Sequence, residues 1–531
     1  MKRATHLLLC MCLILSAFGC ATPAVPAASD TPETPDTVQS TPAPSQTPDE
    51  GAALIDTILK EADARKEAIL NSETAIAQGD AFIEGETYGK TAYYVSNAGD
   101  DANDGLSPEN AWATVERVSS ADLDRGDAVF FERGGEWYGQ LFGKDGVTYS
   151  AYGEGRKPRL YGTSRDAGGA KDWTLLDGTE NIWVYKEAVL DCGCVVFNEG
   201  EANGVRITPW YIDGRWMRAD VKTKVFDVTE DLKEDLNFYS ATDMFSDDPV
   251  AGTQGRTDEG LLYLRSDAGN PAEVFSSVRL MLWGNTVLPG ENNVFDNLSI
   301  LYCGGHGIYN WGSRLVVQNC EFGWIGGCIH FYNEGSEPVR FGNGVENDGS
   351  YDLYTVRSCY FHDIYDAGAS NQNDGRMENI TYEGNLIERC NYGIEVFCWT
   401  KTDGDGNENI YRNLLIEDNY ILRSGYGWGQ QRPDTWDAAI EGHDAMTPCE
   451  NYVIRNNVLF FAKTSLLTIG ETPEGEPKLS GNTYVQDTGA SLLFRWKTDG
   501  YTTRGQRGPD ALLSYDPAGT VVIRSGLVEN G

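Results

Sequence analysis

The chain is 531 residues long with 40% hydrophobic and 11% aromatic residues, enough apolar surface to bury a large core and too much for disorder through most of its length. Its formal charge is -38 and it holds no basic cluster, so it lacks the counterion release that drives nucleic-acid binding. DNA and RNA are excluded as expected partners.

In chain order, residues 1–20 have Lys2 and Arg3, an apolar run from Leu7 to Leu15, and then Ala17-Phe18-Gly19-Cys20, the layout of an export signal. The small residue before Cys20 resembles the bacterial lipobox, with Ala17 where leucine is usual. That resemblance implies cleavage before Cys20 and acylation of its thiol, giving an extracytoplasmic protein, lipid-anchored at the bacterial cell surface. The competing reading of Cys20 is an ordinary signal-region cysteine like Cys10 and Cys12. No later segment has the roughly 20 apolar residues of a membrane span, so membrane contact is expected through the anchor alone. Residues 21–50, rich in Pro, Thr, Ala and Ser, read as a disordered tether. Within 51–85, Leu54, Ile55, Ile58, Leu59, Ala62, Ile69 and Leu70 fall at helical spacing and predict one amphipathic helix packed on the body.

From residue 86 to 165 the text changes to strand, turn, short helix and glycine-punctuated strands. The YYVSNAGDDANDG entry, the AWATVERV helix and the GDAVFFERG strand resemble the amino-terminal cap of right-handed parallel β-helix proteins of the pectate-lyase-like superfamily, many of which act on carbohydrates. In the entry loop, Asp100, Asp101, Asn103 and Asp104 could coordinate calcium, although the same residue types are standard turn formers. No cofactor is otherwise required. Residues 166–290 break the pattern and read as an inserted β-rich module, an arrangement the resemblance also implies. The nine cysteines after Cys20 are odd in number and mostly sit in apolar runs, where cysteine packs as a small hydrophobe. Cys192-Gly193-Cys194 is not a zinc signature.

Residues 291–500 carry an internal repeat: FDNLSI, VVQNCEF, TVRSCYF, TYEGNLI, LIEDNYI, VIRNNVL and LSGNTYV. Equivalent positions are Leu298, Cys320, Cys359, Asn385, Asn419, Asn457 and Asn482, separated by 22, 39, 26, 34, 38 and 25 residues. The short steps are one coil and the long ones a coil plus a loop. Apolar positions recur with period two, so the units are strands, and stacked asparagines can satisfy one another along the axis. A propeller or sandwich is disfavoured because these units have no clear hairpin turn. The predicted fold is an all-β right-handed parallel β-helix with an inserted β-rich module and an N-terminal helix, ending in a cap over 501–531.

In such a solenoid, residues of equal phase become vertical neighbours. Counting ten residues on from the marker puts His330 and Glu395 in one column, which extends as Tyr309, His330, Ser370, Glu395 and Glu441. Apolar neighbours Ile394, Val396 and Ile440 turn this polar column outward. Two glutamates on adjacent coils stand near the 5 Å used by retaining glycosidases, and like charges so close raise one pKa. Glu395 and Glu441 are therefore the first catalytic candidates, with a surface pair or a cation site as the alternatives. Asp363, Asp366, Asp374, Asp437, His443 and Asp444 lie on nearby loops, as does His362. Tyr309, Trp311, Trp324, Tyr332, Tyr392, Trp399, Tyr426, Trp428 and Trp436 supply rings suited to sugar faces, about half of them expected to pack instead; Tyr309, Trp399, Trp428, Trp436 and Arg432 are the substrate-binding candidates.

Three function classes follow. The first is a glycoside hydrolase acting on a neutral or mildly acidic glycan. The second is a calcium-assisted polysaccharide lyase, for which the superfamily resemblance supplies the precedent and Arg376, Lys401, Arg412, Arg432 or Arg495 the base. The third is a non-catalytic glycan-binding surface protein. All three take a polysaccharide or oligosaccharide as partner, and the chain is expected to be a monomer. Fold alone does not choose among them.

Overall fold

A computed structural model describes residues 48–73, 81–83, 86–88, 91–213, 215–241, 259–312, 314–332, 337–372, 375–397, 410–432, 436–443, 449–470, 476–496 and 508–526. Its body is a right-handed parallel β-helix in which three long parallel sheets of ten, ten and nine strands run along the axis. Each complete coil visits them in the same order. Leu315–Gln318 lies in sheet A, Glu321–Ile325 in sheet B and Val345–Asp348 in sheet C.

Left-handed residues at two recurring positions turn the chain. The residue before each repeat marker has positive φ, from 50° at Ser358 to 70° at Gly481, with Asn297, Asn319, Gly384, Asp418 and Asn456 between. Glycine, asparagine and aspartate dominate because they tolerate this region best. Four residues after the marker a second such position recurs at Tyr302, Trp324, Asp363, Arg389, Arg423 and Phe461, with φ of 51° to 62°. Bulky side chains rarely adopt it, at a cost of about 1–2 kcal/mol each. Lateral pairing on both sides holds them there.

The marker turn is also where the coils are bonded to one another. Asn385 Nδ2 donates to Asn419 Oδ1 at 2.9 Å, Asn419 to Asn457 at 2.9 Å and Asn457 to Asn482 at 3.0 Å. Each of these carbonyl oxygens also accepts the backbone N–H of the preceding ladder residue, and each amide donates to a backbone carbonyl of sheet A, so buried groups that a turn would strand are satisfied. Asp516 closes the ladder, accepting from Asn482 Nδ2 at 2.9 Å, Asn482 N at 3.0 Å, Gly481 N at 2.8 Å and the Tyr484 hydroxyl at 3.0 Å. The coil interior is filled by inward-facing Val, Ile, Leu, Phe and Tyr, with Cys303, Cys320, Cys359 and Cys390 among them. Among the described residues the cysteines are free thiols, all buried except the half-buried Cys449.

Two additions dress this body. The chain leaves the coil after Arg159–Leu160 and returns at Val287–Leu288, having built a five-stranded sheet, a four-stranded sheet and the hairpin of Trp210–Ile212 with Arg215–Met217. A buried ion pair seats this module: Arg206 grips Asp191 through both terminal nitrogens, Nη1 at 3.0 Å, and the same Nη1 donates to the Gly327 carbonyl at 3.3 Å. Asp191 in turn accepts the Ile329 N–H at 2.8 Å. The helix Pro48–Leu70 lays Ile55, Ile58, Ala62 and Ile69 across sheet B, against Tyr360, Leu386, Leu422, Val458, Val485 and Val522. Among the described residues no helix is long and apolar enough to cross a membrane. The signal, Cys20 and most of the tether lie outside the described residues.

Candidate active site

Sheet C carries the column. Its register runs Tyr309, Glu346, Ser370, Glu395, Glu441 and Thr468 on successive strands. Inward-facing Val345, Ile394 and Ile440 alternate with it and anchor each strand in the core.

His330 is not a member. The strand Cys328–Tyr332 folds back antiparallel on Pro338–Phe341 as a hairpin that interrupts the coil before Val345–Asp348 resumes it. The column position assigned to His330 therefore belongs to Glu346, which the sequence reading missed. The signal was present: Gly344-Val345-Glu346 repeats the Gly393-Ile394-Glu395 pattern. His330 instead stacks on Phe341 with centroids 3.4 Å apart and lies edge-on to Trp283 and His306.

A polar network links the carboxylates. Gln372, two residues beyond Ser370, donates to Glu346 Oε2 at 3.0 Å and to Glu395 Oε2 at 2.9 Å. Those two oxygens are thus no more than about 6 Å apart, although a whole strand separates their backbones. Ser370 donates to Glu346 Oε2 at 2.6 Å, and Asn343 donates both to Glu346 and to the Ser370 hydroxyl. Asn343 is fixed in turn by its own N–H, which donates to His306 Nδ1 at 3.1 Å. That acceptor role requires an unprotonated Nδ1, and burial accordingly pushes the imidazole down to about 3.

The electrostatics favour retained protons on Glu346 and Glu395. Burial, reinforced by Asp348 and Asp366 and opposed by hydrogen bonds from Ser370 and Asn343, raises Glu346 to about 8. Glu395 is raised well above the usual carboxylate range by burial, then by Asp366 and Glu346, against the opposing pull of Arg432 and with a further push from Glu441. Glu441 is fully buried, and its Oε2 accepts the Trp436 indole N–H at 3.2 Å. Arg432 salt-bridges Asp366 and lies over the rings of Tyr365 and Tyr392, at 5.9 Å and 5.7 Å. Asp366 and Arg432 thus join the column, as does Trp436, which also packs edge-on to Phe494. At the opposite end, Tyr309 is half-buried and Trp311, two residues on, is 56% exposed.

Other candidates are placed elsewhere. Asp363 is clamped by Arg389 at 2.8 and 2.9 Å and by His362 at 3.0 Å at the bend in sheet B, away from the column. Asp437 accepts from the backbone and hydroxyl of Thr464, tying two coils. Trp428 is buried among Trp324, Tyr365 and Tyr302 and donates to the Asp363 carbonyl at 2.7 Å, so its ring packs the module onto the coils instead of facing a groove. The backbone of His443 pairs in register with Phe397. Trp399, Lys401, Asp374 and Asp444 lie outside the described residues. The entry-loop acids proposed as calcium ligands make local hydrogen bonds. Asp100, Asp101 and Asp104 accept from Ala102, from Ala113 and Thr114, and from Leu106, so their oxygens serve turns and the cap of the following helix. Among the described residues no three His, Cys, Asp or Glu side chains converge as a metal site. Of the proposed lyase bases, Arg376 and Arg412 sit on sheet A bonded to Glu378, and the Arg495 backbone pairs with Ile469, off the column phase.

No family model and no curated protein matches the sequence. Among solved structures, the chain is similar to one described as XylC with xylose, 12% identical over 77% of this chain and 86% of that one, TM-score 0.32. It is similar to the GH136 lacto-N-biosidase of Eubacterium ramulus, 14% identical over 82% and 67%, TM-score 0.31. It is also similar to a rhamnogalacturonan lyase, 8% identical over 76% and 75%, TM-score 0.33. These likenesses assign no role to any residue of this chain.

Proposed function

We propose that this protein hydrolyses glycosidic bonds in a polysaccharide or oligosaccharide, with Glu395 as general acid/base and Glu441 as nucleophile. The observation that carries the reading is the direct pairing of Glu395 with Glu441 on adjacent strands, about 4.8 Å apart at the backbone. That spacing suits the roughly 5–5.5 Å between carboxyl groups in retaining enzymes. Glu395 holds its proton through burial and the neighbouring Asp366 and Glu346, while Glu441 receives a hydrogen bond from Trp436.

In the first step Glu395 gives its proton to the glycosidic oxygen as that bond breaks, and a Glu441 oxygen bonds the anomeric carbon. In the second, the now ionised Glu395 takes a proton from water, whose oxygen displaces Glu441 and regenerates both groups. Gln372 fixes Glu395 and Ser370 fixes the neighbouring Glu346 through hydrogen bonds, and Trp311 and Tyr309 offer ring surface at one end of the column.

A lyase would need a base aimed at this column. Arg432 is engaged by Asp366, and Arg376 and Arg412 belong to another sheet.

The test is release of reducing ends from a panel of neutral and acidic polysaccharides. Glu395→Gln is expected to lower kcat by about 10²–10⁴-fold with binding retained. Full activity in that variant removes Glu395 from its assigned role, unsaturated products select a lyase, and retention of glycan by the wild type with no product selects a binding protein.

A further inference from the structure

Away from the carboxylate column, the inserted module and the coils border a half-open pocket of about 480 Å³, within the usual range for small-ligand sites. One side is built by the module: the strand Val205–Arg206, the hairpin around Trp210, and the segment from Phe226 to Asp231. The other side is built by Pro338 and Arg340 of the hairpin that displaced His330, and by Gln431.

Both coil-side walls are followed in sequence by residues that pack beside the column. Arg340 donates to the Gly327 carbonyl at 2.7 Å, and the next residue, Phe341, stacks on His330 and lies 5.8 Å from His306. Gln431 bridges to the module, accepting the Arg206 N–H and donating to the Gly204 carbonyl, both at 3.0 Å. Its successor Arg432 is the residue paired with Asp366 beside Glu395.

The chemistry of the lining points to an uncharged ligand. Four basic and four acidic side chains line the cavity, and several neutralise one another at close range, Arg218 with Asp220 at 2.6 Å and with Asp231 at 3.3 Å. Arg206 is compensated from beneath by Asp191. A net-neutral, polar rim around Trp210, Phe226 and Pro338 suits a molecule with many hydroxyls and an apolar ring face. Lys222 covers one face of the Trp210 indole, 3.2 Å from its centroid, which holds the ring in place.

We infer that this cavity is a second glycan subsite that holds one or two neutral sugar units of the chain whose glycosidic bond lies over Glu395 and Glu441, so that the module sets substrate length. This rests on the glycosidase reading above.

The experiment is calorimetric titration of the inactive full chain, Glu395→Gln, with neutral β-linked gluco-, xylo- and galacto-oligosaccharides of two to six units and with an oligouronate of matched length. Trp210→Ala in that background is expected to weaken binding of the longest neutral ligand about tenfold and to leave disaccharide binding unchanged. In the active enzyme the same substitution should raise KM for long substrates with kcat unaltered. Phe226→Leu provides a second, milder perturbation, with near-UV circular dichroism to show that the module remains folded. Equal affinity of both variants and the parent for long ligands overturns the subsite, as does tighter binding of the oligouronate than of the neutral chains. Those outcomes are independent of whether Glu395→Gln abolishes cleavage, which judges the catalytic reading alone.

Discussion

Glu346 shows how one buried acid makes stability depend on pH. Its fold-state value of about 8 lies above its ordinary 4.5 because burial outweighs the hydrogen bonds it accepts. Between those values the unfolded chain releases a proton that the folded chain keeps, so unfolding is favoured progressively as pH rises through the window. The contribution is fully present below about 4.5 and spent above about 8. Glu346→Gln, which keeps the shape and removes the ionisation, should flatten the fall of Tm between about pH 5 and 8. A variant whose Tm falls as steeply as that of the parent would show that Glu346 ionises normally in the fold. Glu346 also marks where residue-level reading stopped. Phase counting located Glu395 and Glu441 because the loop before each leaves the Gly-Ile-Glu and Ala-Ile-Glu patterns intact. It failed after Cys320, since Gly327-Cys328-Ile329-His330 imitates a column strand while folding away as one arm of a hairpin. Only the 39-residue step to Cys359 hinted that something had been inserted there.

At the scale of the element, the coil turn is where sequence and structure agree most closely. Asparagine at the marker was legible as a stacking position, and the ladder from Asn385 to Asn482 is built on it. The terminating group was not legible, because Asp516 arrives from a separate segment beyond the last repeat, after the short helix Pro509–Leu513. Its role depends on being an acceptor only. Four donors converge on its two oxygens, and an amide there would set N–H against N–H. Asp516→Asn, although isosteric, should therefore cost about 1–3 kcal/mol, measured as a lowered midpoint in urea. An unchanged midpoint would mean that the ladder closes without it. The cysteines at Cys320 and Cys359 occupy the same turn on earlier coils, where their thiols donate to the Phe295 and Val317 carbonyls in place of a ladder amide. In the entry loop, Asp100, Asp101 and Asp104 show the same local economy: acidic side chains in a turn satisfy nearby backbone N–H groups.

For the whole molecule, architecture was readable because a solenoid repeats its own instructions, whereas the polar column was readable only where an intervening loop left the strand pattern intact. The shared walls of the cavity could not be foreseen, since they join residues near 206, 340 and 431 through packing that no periodicity encodes. One long-range contact changes the behaviour of the entire body. Stacked-repeat proteins tend to fray from their ends, each unit leaning only on its neighbours. Here a 23-residue helix, about 34 Å long, lies like a splint across six consecutive strands of sheet B, from Tyr360 to Val522. Peeling away the terminal coil therefore also strips the splint from the five beneath it, and melting should be all-or-none over that span, with fluorescence and far-UV dichroism tracing superimposable curves. Two separated steps would mean the splint binds too weakly to couple what it crosses.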